Sequence, residues 1–267
     1  MKQAQNGFLK SLQLSMKLII TIQIVQCKFL CSPFAGFPAY WSGYFSTRPF
    51  MKKLSREVAT NLRASEILFT WAYNLAMRVD NKAMVKTFEA NYANLVKART
   101  NLGLFQHHDA ITGTAKQFVT HDYGQKLFEA LKFSRHLLKS SAQFVLLQDR
   151  STFHRKILES DFERPTYETR AKPLALDLKN GAQHIVVVNS LGQDSDEVVT
   201  FFLDGIKSRG QVCVFDENGR RLGIQFSPTW TTEGFVRLEK YFSEVSFLTR
   251  LPALSVTKFT VQLCSEK

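Results

Sequence analysis

Apolar side chains recur every three or four positions along three stretches of the chain, which is the spacing of one face of an α-helix. The first stretch, Met51 to Ala76, carries Leu54, Val58, Leu62, Ser65, Leu68, Phe69 and Ala72. The second, from about Ala83 to Leu104, carries Met84, Phe88, Tyr92, Leu95 and Val96. The third begins after Thr112-Gly113-Thr114 and carries Val119, Tyr123, Leu127, Phe128, Leu131, Leu138, Val145 and Leu146. Three long helices with short connections predict an antiparallel bundle over residues 40–149.

The pattern changes after Asp149. Residues 150–180 contain Pro165, Pro173 and scattered charges without a clean period, which indicates a linker. Runs rich in β-branched and aromatic residues then follow at 184–189, 197–203 and 211–215. They predict an all-β, sandwich-like domain over residues 181–267. The fold class is therefore α+β and multidomain, with a three-helix bundle followed by a β domain.

The charge balance favours a basic protein, but the excess is uneven along the chain. The 267 residues carry a formal net charge of +12 and are 45% hydrophobic, which is enough apolar material for a core. Lys and Arg occur from residue 2 onward, whereas the first acidic residue is Glu57. Part of the excess thus belongs to the leading segment. Because no nucleic-acid-binding module accompanies the charge, we predict no nucleic-acid partner.

Residues 1–39 form an atypical leader. An apolar run, Leu18 to Val25, follows Lys10 and Lys17 and resembles a signal peptide, although it is too short and too interrupted to predict a membrane span. The rival interpretation is a stretch with no role in the fold. The four cysteines, at 27, 31, 213 and 264, lack the paired CxxC spacing of a structural zinc module, and the redox compartment stays open.

The segment Gln106 to Ala115 holds three adjacent side chains that could do site chemistry: His107, His108 and Asp109. A neutral imidazole offers a lone pair to zinc, and a carboxylate binds the same ion or accepts hydrogen bonds from sugar hydroxyls. Because consecutive side chains diverge on a helix or strand, we expect at most one or two of them to bind one ion. The plainer interpretations are a structural histidine and an aspartate that caps the next helix.

Several motifs together resemble glycoside hydrolase family 38, the class II α-mannosidases, and come closest to the Golgi α-mannosidase II branch. They are the segments Tyr40-Trp41-Ser42-Gly43-Tyr44-Phe45-Ser46-Thr47-Arg48-Pro49, residues 104–116, Asp122-Tyr123-Gly124, residues 187–191 and residues 225–230. The resemblance runs from Tyr40 to the C-terminus.

The resemblance implies a zinc-dependent retaining glycosidase that hydrolyses terminal α-mannosyl residues of oligomannose N-glycans in the Golgi lumen or at its membrane. It assigns His108 as a zinc ligand and Asp109 as a carboxylate that hydrogen-bonds the sugar. Trp41 corresponds to an aromatic wall beneath the mannose, although it could merely pack against the first helix. His107 has no direct role by resemblance and is expected to be a second-shell or structural histidine.

The sequence also departs from the family pattern. Relatives carry an α/β domain ahead of the bundle, with further zinc ligands, the nucleophile and the general acid, and residues 1–39 do not match it. We therefore expect a fragment with an incomplete zinc site, no assigned catalytic residue, an incomplete β domain and no appreciable activity alone. Self-association into a homo-oligomer stays open. The alternative is a non-catalytic carbohydrate-binding or interaction module with the same fold.

Overall fold

The computed structural model describes residues 41–147, 158–169, 171–206, 211–231 and 236–264. In these ranges a short 3-10 helix, Ser42–Phe45, precedes three long helices: α1 (Pro49–Arg78), α2 (Lys82–Phe105) and α3 (Gln117–Leu146). A β region follows them, which confirms the predicted fold class. The leader 1–39, with its signal-like run and two of the cysteines, lies outside the described residues.

The bundle core forms where the helical pattern places it. All seven positions predicted on the apolar face of α1 are buried. On α2, however, Tyr92 and Val96 are exposed, because the buried stripe passes from Phe88 to Leu95 through the half-buried Asn91. The ring of Phe88 lies 5.5 Å from that of Phe69 on α1 and 6.0 Å from that of Phe144 on α3, so it joins all three helices.

The helix ends follow local chemistry. Pro49 is the first residue of α1, where its missing N–H costs nothing, and Arg48 before it has a left-handed backbone with φ of 51°. The side chain of Asn81 caps α2 by accepting a hydrogen bond from the backbone N–H of Met84 at 3.1 Å. Only residues 79–81 separate α1 from α2, so the chain reverses direction at once.

The β region contains β1 (Phe162–Glu163), β2 (Lys172–Pro173), β3 (Ala175–Leu176), β4 (Gln183–Asn189), β5 (Ser195–Asp204), β6 (Val212–Phe215), β7 (Ile224–Thr231), β8 (Arg237–Leu251) and β9 (Ser255–Leu263). One sheet has the order β3-β5-β8-β7 and a second has the order β4-β9-β6, while β1 pairs only with β2. Phe247 of the first sheet lies 4.9 Å, ring to ring, from Phe259 of the second. The two sheets share one buried core and form a sandwich.

Part of the range predicted as a linker packs closely against the helices. Tyr167 is only 9% exposed and belongs to the bundle core. It lies across Gly124 of α3, where an added Cβ would come 2.5 Å from the Tyr167 ring. Leu178, at the other end of the range, is buried in the β sandwich. These are single anchoring side chains without a period, which is why the pattern indicates a linker; the domain limits stay a prediction.

A disulfide joins Cys213 of β6 to Cys264, the residue after β9. The two cysteines are 51 positions apart in sequence but lie on neighbouring strands of the three-stranded sheet. Paired cysteines of this kind form and persist in oxidising compartments.

Candidate functional site

The loop between α2 and α3, residues 106–116, is a series of hydrogen-bonded turns. The backbone N–H groups of Ala110 and Ile111 both donate to the carbonyl of His107, at 2.9 and 3.2 Å. The N–H of Ala115 donates to the carbonyl of Asp109 at 2.9 Å. Because these hydrogen bonds pair backbone groups within the loop, they hold its side chains in place without regular secondary structure.

The turns bring His107, His108 and Asp109 together on the surface. Asp109 Oδ2 lies 3.2 Å from His107 Nε2 and 3.4 Å from His108 Nε2. One ligand atom from each of the three residues lies within 4.8 Å of the others. The expectation that adjacent side chains would diverge is wrong here, because it holds for helices and strands and not for consecutive turns. All three donors are exposed, and the His108 side chain most of all, at 83%.

Asp109 does not cap the following helix. Helix α3 begins after Lys116, and no side chain caps it. The Asp109 carboxylate instead accepts a hydrogen bond from the Thr114 hydroxyl at 3.0 Å. That hydrogen bond and the neighbouring imidazoles of His108 and His107 hold the pKa of Asp109 below its ordinary value. An ionised carboxylate beside two imidazoles can bind a cation or accept hydrogen bonds from hydroxyl groups.

Two basic side chains, one just before α1 and one in its first turn, donate hydrogen bonds to the loop. Lys52 Nζ donates to the backbone carbonyls of Thr47 and Ile111, both at 2.6 Å. Arg48 Nη1 donates to the carbonyl of Ala115 and to the Thr120 hydroxyl, both at 2.5 Å. The segment that contains Trp41 and the segment that contains His108 are thereby fixed at the same end of the bundle.

Two small residues let the loop approach α1 closely. Gly113 has φ of 77°, and a Cβ there would lie 2.8 Å from the carbonyl oxygen of Thr47. Ala110, directly after Asp109, is buried in the bundle core. A larger residue at either position would displace the loop. Sequence reasoning did not predict this support, although Arg48 and Gly113 both lie inside the quoted motifs.

Trp41 lies before the first 3-10 helix with 62% of its surface exposed, so it does not pack into the bundle core. Other exposed aromatic residues flank the ends of the helices that meet there: Phe45, Phe50 and Phe118. We call Trp41, these three residues and the loop 106–116 the bundle-end surface. It combines apolar rings with the three exposed donors. Whether Trp41 contacts a sugar stays a prediction.

Comparison with known proteins shows what the chain is similar to. Residues 39–145 match the model of the α-mannosidase middle domain. Alpha-mannosidase 2 of Homo sapiens is 35% identical over 228 residues, or 83% of this chain. The chain belongs to the class II α-mannosidase family. The family resemblance of the sequence motifs is thus confirmed.

Other similar proteins also match most of this chain but only a small part of their own length. Alpha-mannosidase 2 of Spodoptera frugiperda is 34% identical over 235 residues, which is 85% of this chain and 20% of that protein. The chain likewise spans 19% of the human relative. A solved glycosyl hydrolase family 38 protein from Enterococcus faecalis resembles it with a TM-score of 0.48 at 13% identity, over 86% of this chain and 26% of that one. Among the described helices, none has the length and apolar character required to cross a bilayer.

Proposed function

We propose that this chain supplies the bundle-borne part of the active site of a zinc-dependent retaining α-mannosidase acting on terminal α-mannosyl residues of N-glycans. The observation that carries the proposal is the convergence of His107, His108 and Asp109 on the loop 106–116. The reaction class is taken from the relatives, which are named α-mannosidases. The exposed loop provides the donors that such a site needs.

The donor set fits zinc. Two imidazole nitrogens and one carboxylate are the ligand types that zinc prefers, and a catalytic zinc normally has three protein ligands and one open position. We propose His108 as a ligand, with Asp109 directed to the sugar and His107 as a supporting group or an additional ligand. Zinc bound there would orient hydroxyl groups of the mannose ring. Any further ligands would come from the α/β domain that the resemblance implies.

The chain's own residues would bind and orient the sugar. Asp109 is kept ionised by Thr114 and accepts hydrogen bonds, while Trp41 offers an exposed ring to the apolar C–H face of a pyranose. A retaining mechanism requires two carboxyl groups about 5 Å apart. The described donor cluster contains one carboxylate, so we assign no nucleophile or general acid. For location we propose the secretory pathway, in the Golgi, which the disulfide of the β sandwich supports.

Zinc titration by isothermal calorimetry tests the proposal. We expect the purified chain to bind zinc and His108→Ala to weaken the affinity at least about tenfold, since loss of a ligand or its support typically costs 10- to 100-fold. His184→Ala is the matched control, because this exposed imidazole on β4 contacts only Thr260 among its described partners. Equal zinc affinity in wild type and His108→Ala would overturn the assignment.

A second assay separates the enzyme from the alternative of a sugar-binding module. With zinc added, we expect the isolated chain to release no aryl group from an aryl α-mannoside. Turnover that disappears in His108→Ala would contradict this expectation. Binding of methyl α-mannoside that is equally strong without zinc, and that Trp41→Ala abolishes, would instead favour the non-catalytic carbohydrate-binding module.

A further inference from the structure

Lys52, in the first turn of α1, directs its ammonium group to two segments that are far apart in sequence. Its Nζ atom donates to the backbone carbonyl of Thr47 and to that of Ile111, both at 2.6 Å. Thr47 follows the short helix next to Trp41, whereas Ile111 lies in the loop between α2 and α3, 59 positions from Lys52. One side chain therefore joins the segment that carries Trp41 to the loop that carries His108.

The ammonium group of Lys52 is partly shielded from water. The residue is half-buried, and burial lowers the pKa of its amine below the ordinary value of 10.5. A charged donor forms shorter and stronger hydrogen bonds than a neutral donor does. If this donor were removed, both carbonyl oxygens would lose a hydrogen bond. The two contacts are therefore suited to fixing the position of the backbone, unlike those of a fully solvated lysine.

The loop backbone packs closely against the bundle on both sides of Ile111. A Cβ added at Gly113 would lie 2.8 Å from the carbonyl oxygen of Thr47, which is the same atom that Lys52 contacts. On the other side of Ile111, Ala110 is buried in the bundle core. The carbonyl that accepts from Lys52 thus belongs to a part of the loop that has little room to move.

Hydrogen bonds continue from this part of the loop to the two histidines. The backbone N–H of Ile111 donates to the carbonyl of His107 at 3.2 Å. The hydroxyl group of the next residue, Thr112, donates to the carbonyl of His108. The two imidazole rings lie 4.3 Å apart, centroid to centroid. A displacement of the Ile111 peptide would therefore shift both rings.

We propose that Lys52 is a positioning residue for the donor cluster and that it sets the zinc affinity through the carbonyl of Ile111. A charged ammonium group has no lone pair for a metal, so it acts through the loop and not as a ligand. Metal affinity depends on groups that orient the ligands as well as on the ligands themselves. The part that concerns zinc rests on the proposed function. The part that concerns the arrangement of the imidazoles can be measured without zinc.

Lys52→Met in the full chain tests the proposal, because it removes the charge and the donors but keeps a flexible apolar side chain. Lys53→Met makes the same change at the next, exposed position and is the matched control. Without zinc, we expect an NOE between the rings of His107 and His108 in wild type and in the control, and its loss in Lys52→Met. With zinc, calorimetry should show at least about tenfold weaker binding for Lys52→Met alone.

An NOE that persists in Lys52→Met would overturn the proposal. Loss of the NOE with the zinc affinity of wild type would also overturn it, because Lys52 would then only support the loop. Equal losses of affinity in Lys53→Met would show a general charge effect and reject the role. A wild-type chain that binds no zinc would refute the proposed function, and the NOE would then decide on Lys52 alone. Should Lys52→Met fail to fold, as judged by circular dichroism, Lys52→Gln, with a shorter and neutral donor, takes its place.

Discussion

The carboxylate of Asp109 lies between two imidazoles and a hydroxyl, and each neighbour favours its ionised form. The Thr114 hydroxyl donates a hydrogen bond to this carboxylate, which remains exposed to solvent. The same hydroxyl lies 2.9 Å from that of Thr112, which in turn hydrogen-bonds the carbonyl of His108. The positions of the candidate ligand and of the candidate sugar-binding carboxylate are therefore coupled through two threonines.

At this scale we predict that Thr114→Val raises the pKa of Asp109 toward its ordinary value of 3.8, because the largest favourable contact with the carboxylate is lost. Since the folded-state pKa is depressed, the carboxylate stabilises the wild-type fold above pH 3.8 and loses this effect as the pH falls through the folded value. As the pH falls, the free energy of unfolding should therefore decrease less in the variant than in the wild type. An NMR titration of the Asp109 side chain measures the shift.

Thr60→Val makes the same chemical change at an exposed position of α1 and serves as the control for that titration. It should leave the pKa of Asp109 where it is. An unchanged pKa in Thr114→Val would show that the hydroxyl does not stabilise the carboxylate.

At the scale of elements, the helices and main strands follow from sequence pattern, whereas their contacts do not. The buried positions of α1 recur every three or four residues, so the sequence pattern alone predicts that Leu54 and Val58 are buried. The runs at 184–189 and 197–203 become β4 and β5, with no end shifted by more than two residues. The loop 106–116 could not be derived in this way, because Lys52 fixes it across 59 positions of sequence. Periodicity carries no information on such a contact.

The packing of Tyr167 on Gly124 gives a prediction for α3. Alanine normally stabilises a helix interior by up to about 1 kcal/mol relative to glycine, but at Gly124 its Cβ would meet the Tyr167 ring. We expect Gly124→Ala to lower the free energy of unfolding by about 1–3 kcal/mol through overpacking. Urea denaturation followed by circular dichroism measures this change.

Gly103→Ala on α2 is the matched control, because among the described residues no heavy atom beyond its chain neighbours and its own helix backbone lies within 4 Å of the added Cβ. It should raise the free energy of unfolding by about 0.5–1 kcal/mol. Changes of the same sign in both variants would mean that Tyr167 does not hold the segment after α3 against the bundle.

At the scale of the whole molecule, long-range contacts join regions that the sequence pattern separates. Tyr167 ties the start of the β region to α3, and its hydroxyl lies 2.6 Å from His121 Nδ1. Burial, and then the neighbouring Glu168, raise the pKa of Tyr167 to about 12. The pairing of Cys213 with Cys264 was likewise beyond prediction, because four cysteines allow three connectivities. The sequence pattern thus predicts the fold class, whereas the contacts between distant elements are seen only in the three-dimensional structure.

We predict that reducing the Cys213–Cys264 disulfide lowers the free energy of unfolding by about 2–4 kcal/mol. The bridge closes a long loop, whose ends are 51 positions apart in sequence, and so restricts the unfolded chain. Urea denaturation with and without a phosphine reductant measures the change. The double variant Cys213→Ser, Cys264→Ser should be insensitive to the reductant, and an equal response there would assign the effect to other cysteines.

The same disulfide also protects the protein against aggregation with other copies of itself. Strand β6 is short and lies at the edge of its sheet, covering one side of β9. If β6 detached, β9 would expose a row of unpaired amides that can template aggregation. By holding β6 in place covalently, the cysteine pair keeps the edge of β9 covered during heating.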